Sequence, residues 1–266
     1  MCNAVIAVVA HKPYPMPQSD IYLPLHAGGA LRPDVLPDFA QDDSGDNISL
    51  RNGTYCELTG LYWLWKNADA PYLGLVHYRR YLGSFAPPHA MPDRKNRFAR
   101  IMTHRDLNET MALTDIIVPT KRHYVIECVR SHYEHTHSGV QLDVTRQVIA
   151  ERCPEFLPSF DQVMASRSAH MFNMFVMTRA KLDEYCSWLF PIVDAVAARV
   201  DTTGYSDFDA RFPGRISEML LDVWLDGTGY DYAEMPLAST EPVRWDRKIV
   251  AFLKAKFLGC KYSGSF

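Results

Sequence analysis

Residues 77–81 read His77-Tyr78-Arg79-Arg80-Tyr81, directly after the apolar run Leu73-Gly74-Leu75-Val76. Neighbouring guanidiniums repel each other unless something anionic is shared between them. Arginine grips phosphate or carboxylate through a bidentate fork, and the imidazole and phenols beside it add donors. The segment therefore suits a diphosphate cradle. The alternative is an arginine pair bonded to Asp or Glu partners at a sheet edge.

Other residues carry chemistry of complementary kinds. His11-Lys12 follows the apolar run 4–10, a point where α/β sheets commonly meet a nucleotide, although an ordinary polar loop has the same composition. Glu218 lies opposite the apolar stripe Ile216, Met219, Leu220 and Val223 of a helix expected over 215–226. A solvated face is the usual place for such a residue. A general base that takes the proton of an attacking hydroxyl is the other reading. Asp115 heads the short run Ile116-Ile117-Val118-Pro119 and is the rival base, or merely a turn cap.

The loop Asp42-Asp43-Ser44-Gly45-Asp46-Asn47 is a turn by composition. Its functional reading is contact of Asp46 and Asn47 with a nucleoside, with Arg51 and Asn52 as weaker members of the same set. Gly28-Gly29 reads as a turn or as a close backbone approach to ligand. Asn173 interrupts the apolar run 170–177 and must find partners, either in a neighbouring loop or in a cleft. His132, His135 and His137 have an H-x-x-H-x-H spacing that invites zinc, yet no carboxylate or thiol stands at a known spacing, so no metal site is assigned. Asp207-Phe208-Asp209 is the chain's Asp-x-Asp, and it reads as an N-cap ahead of a helix. Tyr62, Trp63, Trp65, Trp188 and Trp224 are assigned to packing.

The elements that must position these groups are those of an α/β chain. Strands are expected at 4–10, 72–76, 115–119 and 170–177. Leu58, Leu61, Tyr62 and Trp65 at i, i+3, i+4 and i+7 mark a helix, with Thr54-x-x-Glu57 as its capping box. Helices are expected near 104–113, then at 123–136, 140–153 and 159–166 as a helical insertion, and from Leu182 to a kink at Pro191. The order strand, loop, helix, strand implies a mostly parallel sheet. The basic tail 244–260 reads as an amphipathic helix, packed on the domain or resting on an anionic inner leaflet.

The bulk numbers agree. With 266 residues, 47% of them hydrophobic, the chain supports one sizeable domain. A net charge of −3 gives no general attraction to nucleic acid. Six scattered cysteines without a C-x-x-C pair fit reduced thiols in a cytoplasmic protein. No signal peptide or membrane-spanning run is expected.

The string HKPY … YLPLHAGGA … DDSGDNIS … YCELTGLYWLWKN … YLGLVHYRRYL … TDIIVP … NMFVM … RFPGRISE resembles the bacterial capsule and exopolysaccharide family long catalogued as a domain of unknown function, over about residues 5–227. Some members are treated as glycosyltransferases. The resemblance implies a GT-A-like (Rossmann-like) sheet flanked by helices and transfer of a sugar, galactofuranose in some relatives, from a UDP-sugar co-substrate to a glycan or lipid-linked glycan. It places Asp46, Asn47, His137, Asn173, Arg211 and Glu218 at matching motif positions and favours the functional reading for them. His77-Tyr78-Arg79-Arg80 stands where many GT-A enzymes carry a metal-binding Asp-x-Asp, so metal-independent transfer without a cofactor is expected. The rival is a non-catalytic, polysaccharide-binding scaffold subunit of a capsule synthase.

Overall fold

A computed structural model describes residues 4–85 and 97–241. The chain forms β1 (Ala4–Ala10), β2 (Tyr22–His26), β3 (Ala40–Gln41), the short helix α1 (Asn52–Tyr55), α2 (Leu58–Asn67), β4 (Tyr72–His77) and β5 (Arg80–Leu82). Then come α3 (His104–Met111), β6 (Ile116–Pro119), β7 (Arg122–His123), α4 (Val129–Glu134), α5 (Gly139–Arg152), α6 (Leu157–Ala165) and β8 (Ser168–Ala169). The remainder is β9 (Phe175–Thr178), α7 (Arg179–Arg199), α8 (Phe212–Thr228), β10 (Ala233–Met235) and β11 (Leu237–Ser239).

The main sheet runs β10-β6-β9-β4-β1-β2-β3, with β5 and β11 paired beside the end of β4. β1 is parallel to β2 and β4, β2 to β3, and β6 to β10. β9 runs antiparallel between β4 and β6, which makes β4 and β6 parallel to each other. Both faces of the sheet are covered, which is why its strands read as continuous apolar runs rather than alternating ones. Ala7, Val9, Leu73, Leu75 and Phe175 join the core beneath α2, α7 and α8. Ile6, Val8, Val76 and Val176 point to the opposite face, toward Leu107 and Met111 of α3. Each fully buried aliphatic side chain of this kind stabilises the fold by roughly 1.5–3 kcal/mol.

Several local expectations are corrected. The run 170–177 is not one strand: Phe172 and Asn173 have φ of 80° and 48°, and only Phe175–Thr178 is extended. The expected 123–136 helix shrinks to Val129–Glu134, behind the short strand β7, which pairs antiparallel with the distant β8. α7 runs from Arg179 to Arg199 with Pro191, the expected kink position, inside it. Thr54 and Glu57 form no capping box, because Cys56 at φ 53° separates α1 from α2. Between β6 and β9, α5 packs on α7 and α6 on α8, so the inserted helices lie against the sheet's own helical layer. The expected basic helix at 244–260 lies outside the described residues. Among those described, no helix is long and apolar enough to cross a membrane.

Candidate functional site

Strand direction brings distant residues to one rim. β1, β2, β4 and β6 all run the same way. The residues just past their carboxyl ends are His11, Ala27, the Tyr78-Arg79-Arg80 turn and Arg122, and all of them line one cavity of about 970 Å³. Antiparallel β9 begins at that rim, which delivers Phe172 to the same space. The junction of α1 and α2 adds Asn52, Cys56 and Glu57, and the start of α8 adds Arg215 and Glu218. The helical insertion closes the side with Tyr124, His132 and His137. Ligands of open α/β sheets bind at this edge.

The motif at 77–81 is a hairpin. β4 ends at His77, Tyr78 and Arg79 form the turn, and Arg80 pairs back on His77 at the start of β5. Arg80 is half-buried with its guanidinium 4.4 Å from the centre of the Phe172 ring. Arg79 lies over Tyr78 and reaches Glu241 at 3.4 Å in an exposed ion pair. Tyr81 turns away into the core, edge-on to Tyr22 and Phe98. His77 departs from its expected role. Its Nε2 meets the Phe172 carbonyl, and burial, with Arg80 and Arg79 adding to it, lowers its pKa despite Glu57. The ring is a neutral Nε2–H donor to backbone, with no proton to offer a phosphate from that nitrogen.

Six arginines (Arg32, Arg79, Arg80, Arg122, Arg211 and Arg215) line the cavity, against three carboxylates, Glu57, Asp207 and Glu218. Among the described residues, Arg32, Arg122, Arg211 and Arg215 make no ion pair. Arg211 Nε donates to the Cys56 thiol at 3.0 Å, and Arg215 lies over the Phe208 ring at 4.8 Å. Burial pushes that thiol up to about 11, so it stays neutral. His11 feels the same concentration of charge: burial and then Lys12, Arg32, Arg211 and Arg79 push it down to about 4. A chain of net charge −3 thus keeps an excess of three positive charges in one cavity. Unpaired guanidiniums at such a place have the charge and geometry to hold an anion.

Glu218 faces this array from α8 instead of lying on a solvated face. Its Oε2 accepts the Phe172 N–H at 3.2 Å. Burial, and then the charge of Glu57, pushes Glu218 up to about 7, against the pull of Arg215 and Arg80. A carboxyl group in that range exchanges its proton near neutrality. One turn further along α8, Asp222 accepts the His170 N–H at 2.7 Å and meets His170 Nδ1 at 2.6 Å. Two carboxylates at i and i+4 thus hold alternate amides of the segment leading to Asn173.

The remaining expected residues divide. Asn52, His137 and Arg211 line the cavity. His137 stacks on Phe208, with ring centres 5.1 Å apart. Lys12 stands just outside, 5.9 Å from the centre of the Tyr78 ring. Asp46 and Asn47 are not in it: the Asp46 amide bonds to Asn67, and the Asn47 side chain caps Asp43 and Gly45 carbonyls within the loop. Asn173 is buried behind the wall, donating to Glu57 at 2.7 Å, Ser217 at 2.9 Å and the Gly214 carbonyl at 3.2 Å. Asp115 is excluded as a base. It precedes β6 and so lies exposed at the opposite edge of the sheet, its carbonyl bonded to Thr178 N. Asp42, at the start of the loop that is a turn by composition, is fully buried and accepts both Gly28 N and Gly29 N at 2.9 Å, which accounts for the double glycine. The histidines do not converge: His132 and His135 both turn to buried Glu127 at 3.2 and 3.3 Å, while His137 lies against Tyr133 and Phe208.

Sequence reasoning missed Glu57, Arg32, Arg122 and Arg215. Arg122 had a signal, since it follows the apolar run 116–119 as His11 and His77 follow theirs. Glu57 was hidden by its fit to a capping box.

A family model described as Domain of unknown function (DUF4422) matches residues 5–229. No curated protein matches the chain. Among solved structures, the apo structure of WbbM, a bifunctional glycosyltransferase, aligns with a TM-score of 0.80 at 25% identity. The alignment covers 90% of this chain and 45% of that one, so this chain spans less than half of that protein. The fold is GT-A-like, as expected: a mostly parallel sheet between helical layers. With the family model matching most of its length, the chain belongs to the DUF4422 family.

Proposed function

We propose that this chain is a glycosyltransferase. It moves a sugar, with galactofuranose a candidate, from a UDP-sugar to a polysaccharide or lipid-linked glycan in capsule, exopolysaccharide or O-antigen assembly. The observation that carries this reading is the gathering of six arginines, four of them without an ion pair among the described residues, around a carboxyl group pushed up to about 7 in one cavity. The likeness to a glycosyltransferase structure supports it.

In this reading Arg79 and Arg80, with Arg32 and Arg211 across the rim, hold the diphosphate. Glu218 takes the proton of an acceptor hydroxyl as its oxygen attacks the anomeric carbon. The bond from that carbon to the diphosphate oxygen breaks, and the leaving nucleoside diphosphate keeps the electron pair. Fixed guanidiniums stabilise the charge that develops there, a task that a divalent ion performs in other transferases. Arg122, His132 and Tyr124 form the side nearer the insertion, where the acceptor enters. A cytoplasmic location, with the basic 244–260 segment against an anionic inner leaflet, belongs to the same proposal.

The test is release of free nucleoside diphosphate from a panel of nucleotide sugars, with and without chelator. Release that survives chelation supports arginine-assisted transfer. Activity abolished by chelator and restored by manganese overturns the metal-free part. A chain that shows no heat of binding with UDP by calorimetry is a scaffold and overturns the whole.

A further inference from the structure

Phe172 and Asn173, consecutive residues with positive φ, join two carboxylates that come from distant parts of the chain. The Phe172 N–H donates to Glu218 at 3.2 Å, and the Asn173 side-chain NH₂ donates to Glu57 at 2.7 Å. Asn173 is 1% exposed. Its NH₂ also meets Gly214 O and Ser217 Oγ, while its Oδ1 is buried without a partner. Three acceptors therefore fix which way the amide points. Glu57 and Glu218 both line the cavity.

Two carboxylates in one poorly hydrated space resist being ionised together, and their protons come off as those of a pair. The fixed NH₂ holds the Glu57 carboxylate in place at 2.7 Å, and burial together with the charge of Glu57 raises the proton affinity of Glu218. The other groups facing Glu218 are Arg215 on its own helix, Arg80 from β5, Tyr124 after β7, Tyr133 of α4 and Arg211 before α8. Among the charged groups in this set, Glu57 alone opposes ionisation of Glu218.

We propose that Glu57 is a positioning residue for Glu218: anchored through Asn173 to the turn that also holds Glu218, its charge makes Glu218, once the resting proton has left to solvent, a stronger base toward the proton of an acceptor hydroxyl. The role of Glu218 as base rests on the transferase reading. The pairing itself does not.

The pairing is tested without turnover, by titrating protein labelled with [δ-¹³C]glutamate by NMR, with the Glu218 and Glu57 signals assigned from E218Q and E57D. In E57Q the Glu218 midpoint falls by about one pH unit, a tenfold change in proton affinity. In E57D, which keeps the charge, it stays close to wild type. In the wild-type protein the Glu57 signal bends at the Glu218 midpoint. A purely structural Glu57 lowers thermal stability in E57Q and leaves the Glu218 midpoint where it was, which overturns the proposal. A wild-type Glu57 signal without that bend overturns it even if E57Q does not fold. Should the midpoint move while no nucleotide sugar is turned over, the pair stands and the transferase reading falls.

Discussion

His77 and Glu218 hold the same residue from opposite sides. The His77 Nε2–H donates to the Phe172 carbonyl, and the Phe172 N–H donates to Glu218 at 3.2 Å. A carbonyl oxygen only accepts, so the neutral His77 ring carries its hydrogen on Nε2 and leaves Nδ1 as an acceptor. The left-handed Phe172 at φ 80° is thus pinned between strand β4 and helix α8, and Arg80 stacks on its ring. A backbone conformation that costs about 1–3 kcal/mol for a non-glycine residue persists because three site residues hold it.

The pH dependence of turnover follows from Glu218. Its carboxyl group is raised to about 7, so the base form accumulates as pH rises through that value. The rate constant kcat/KM is expected to climb between pH 6 and 8. At pH 5 it falls to roughly a hundredth of its plateau, two pH units below the midpoint. Burial depresses His77, which shifts its own titration toward the acid side of this limb. E218Q removes the limb and lowers kcat by about 10²–10⁴-fold, the range for loss of a general base. A pH–rate profile of wild type and variant checks both.

The arginines separate by burial. Arg80 is half-buried against Phe172, whereas Arg79 is 37% exposed beside Glu241. Hydrogen bonds to charged groups contribute about 1.5–3 kcal/mol each when water is excluded. R80A is therefore expected to weaken UDP binding by roughly 10- to 100-fold, and R79A by less, with the R79A effect shrinking further in high salt. R80K keeps the charge and loses the planar fork, so it recovers only part of the affinity. Isothermal titration with UDP at two salt concentrations measures these differences.

Asp115 supplies a control of opposite sign. It is exposed at the far edge of the sheet, and only its backbone carbonyl is engaged, by Thr178 N. D115N is expected to leave turnover unchanged and unfolding within about 0.5 kcal/mol of wild type. A large loss of turnover in D115N returns it to the candidate bases.

What was legible in the sequence was local. Adjacent charges at 77–81 after an apolar run marked the end of a strand, and the 3.6 period placed Glu218 off the core stripe. What faced Glu218 was not legible, because Glu57, Arg80 and Phe172 reach it from three other elements. Glu57 fitted a capping box that the left-handed Cys56 dissolves. The antiparallel insertion of β9 reads no differently in sequence from a parallel strand, yet it is what carries Phe172 and Asn173 to the rim. The resemblance favoured a functional role for Asp46 and Asn47, yet both are engaged outside the cavity, Asp46 with Asn67 and Asn47 with carbonyls of its own loop.

The same Glu218 makes a stability prediction that runs against its activity. Its carboxyl pKa is about 7 when folded, against an ordinary value of 4.5. The folded state therefore binds the Glu218 proton more tightly than the unfolded chain does. That contribution is fully present below pH 4.5 and is lost as pH rises through 7. Glutamine keeps the shape and the Phe172 contact and carries no charge to bury. E218Q is thus expected to melt higher than wild type at pH 8, by up to about 3 kcal/mol, and to differ little from it at pH 5. Thermal unfolding of both proteins at the two pH values decides this. Equal gains at both would place the effect in packing and not in the proton, and a loss at pH 8 would mean that the ionised carboxylate is held by Arg80 and Arg215 more firmly than burial and Glu57 oppose it.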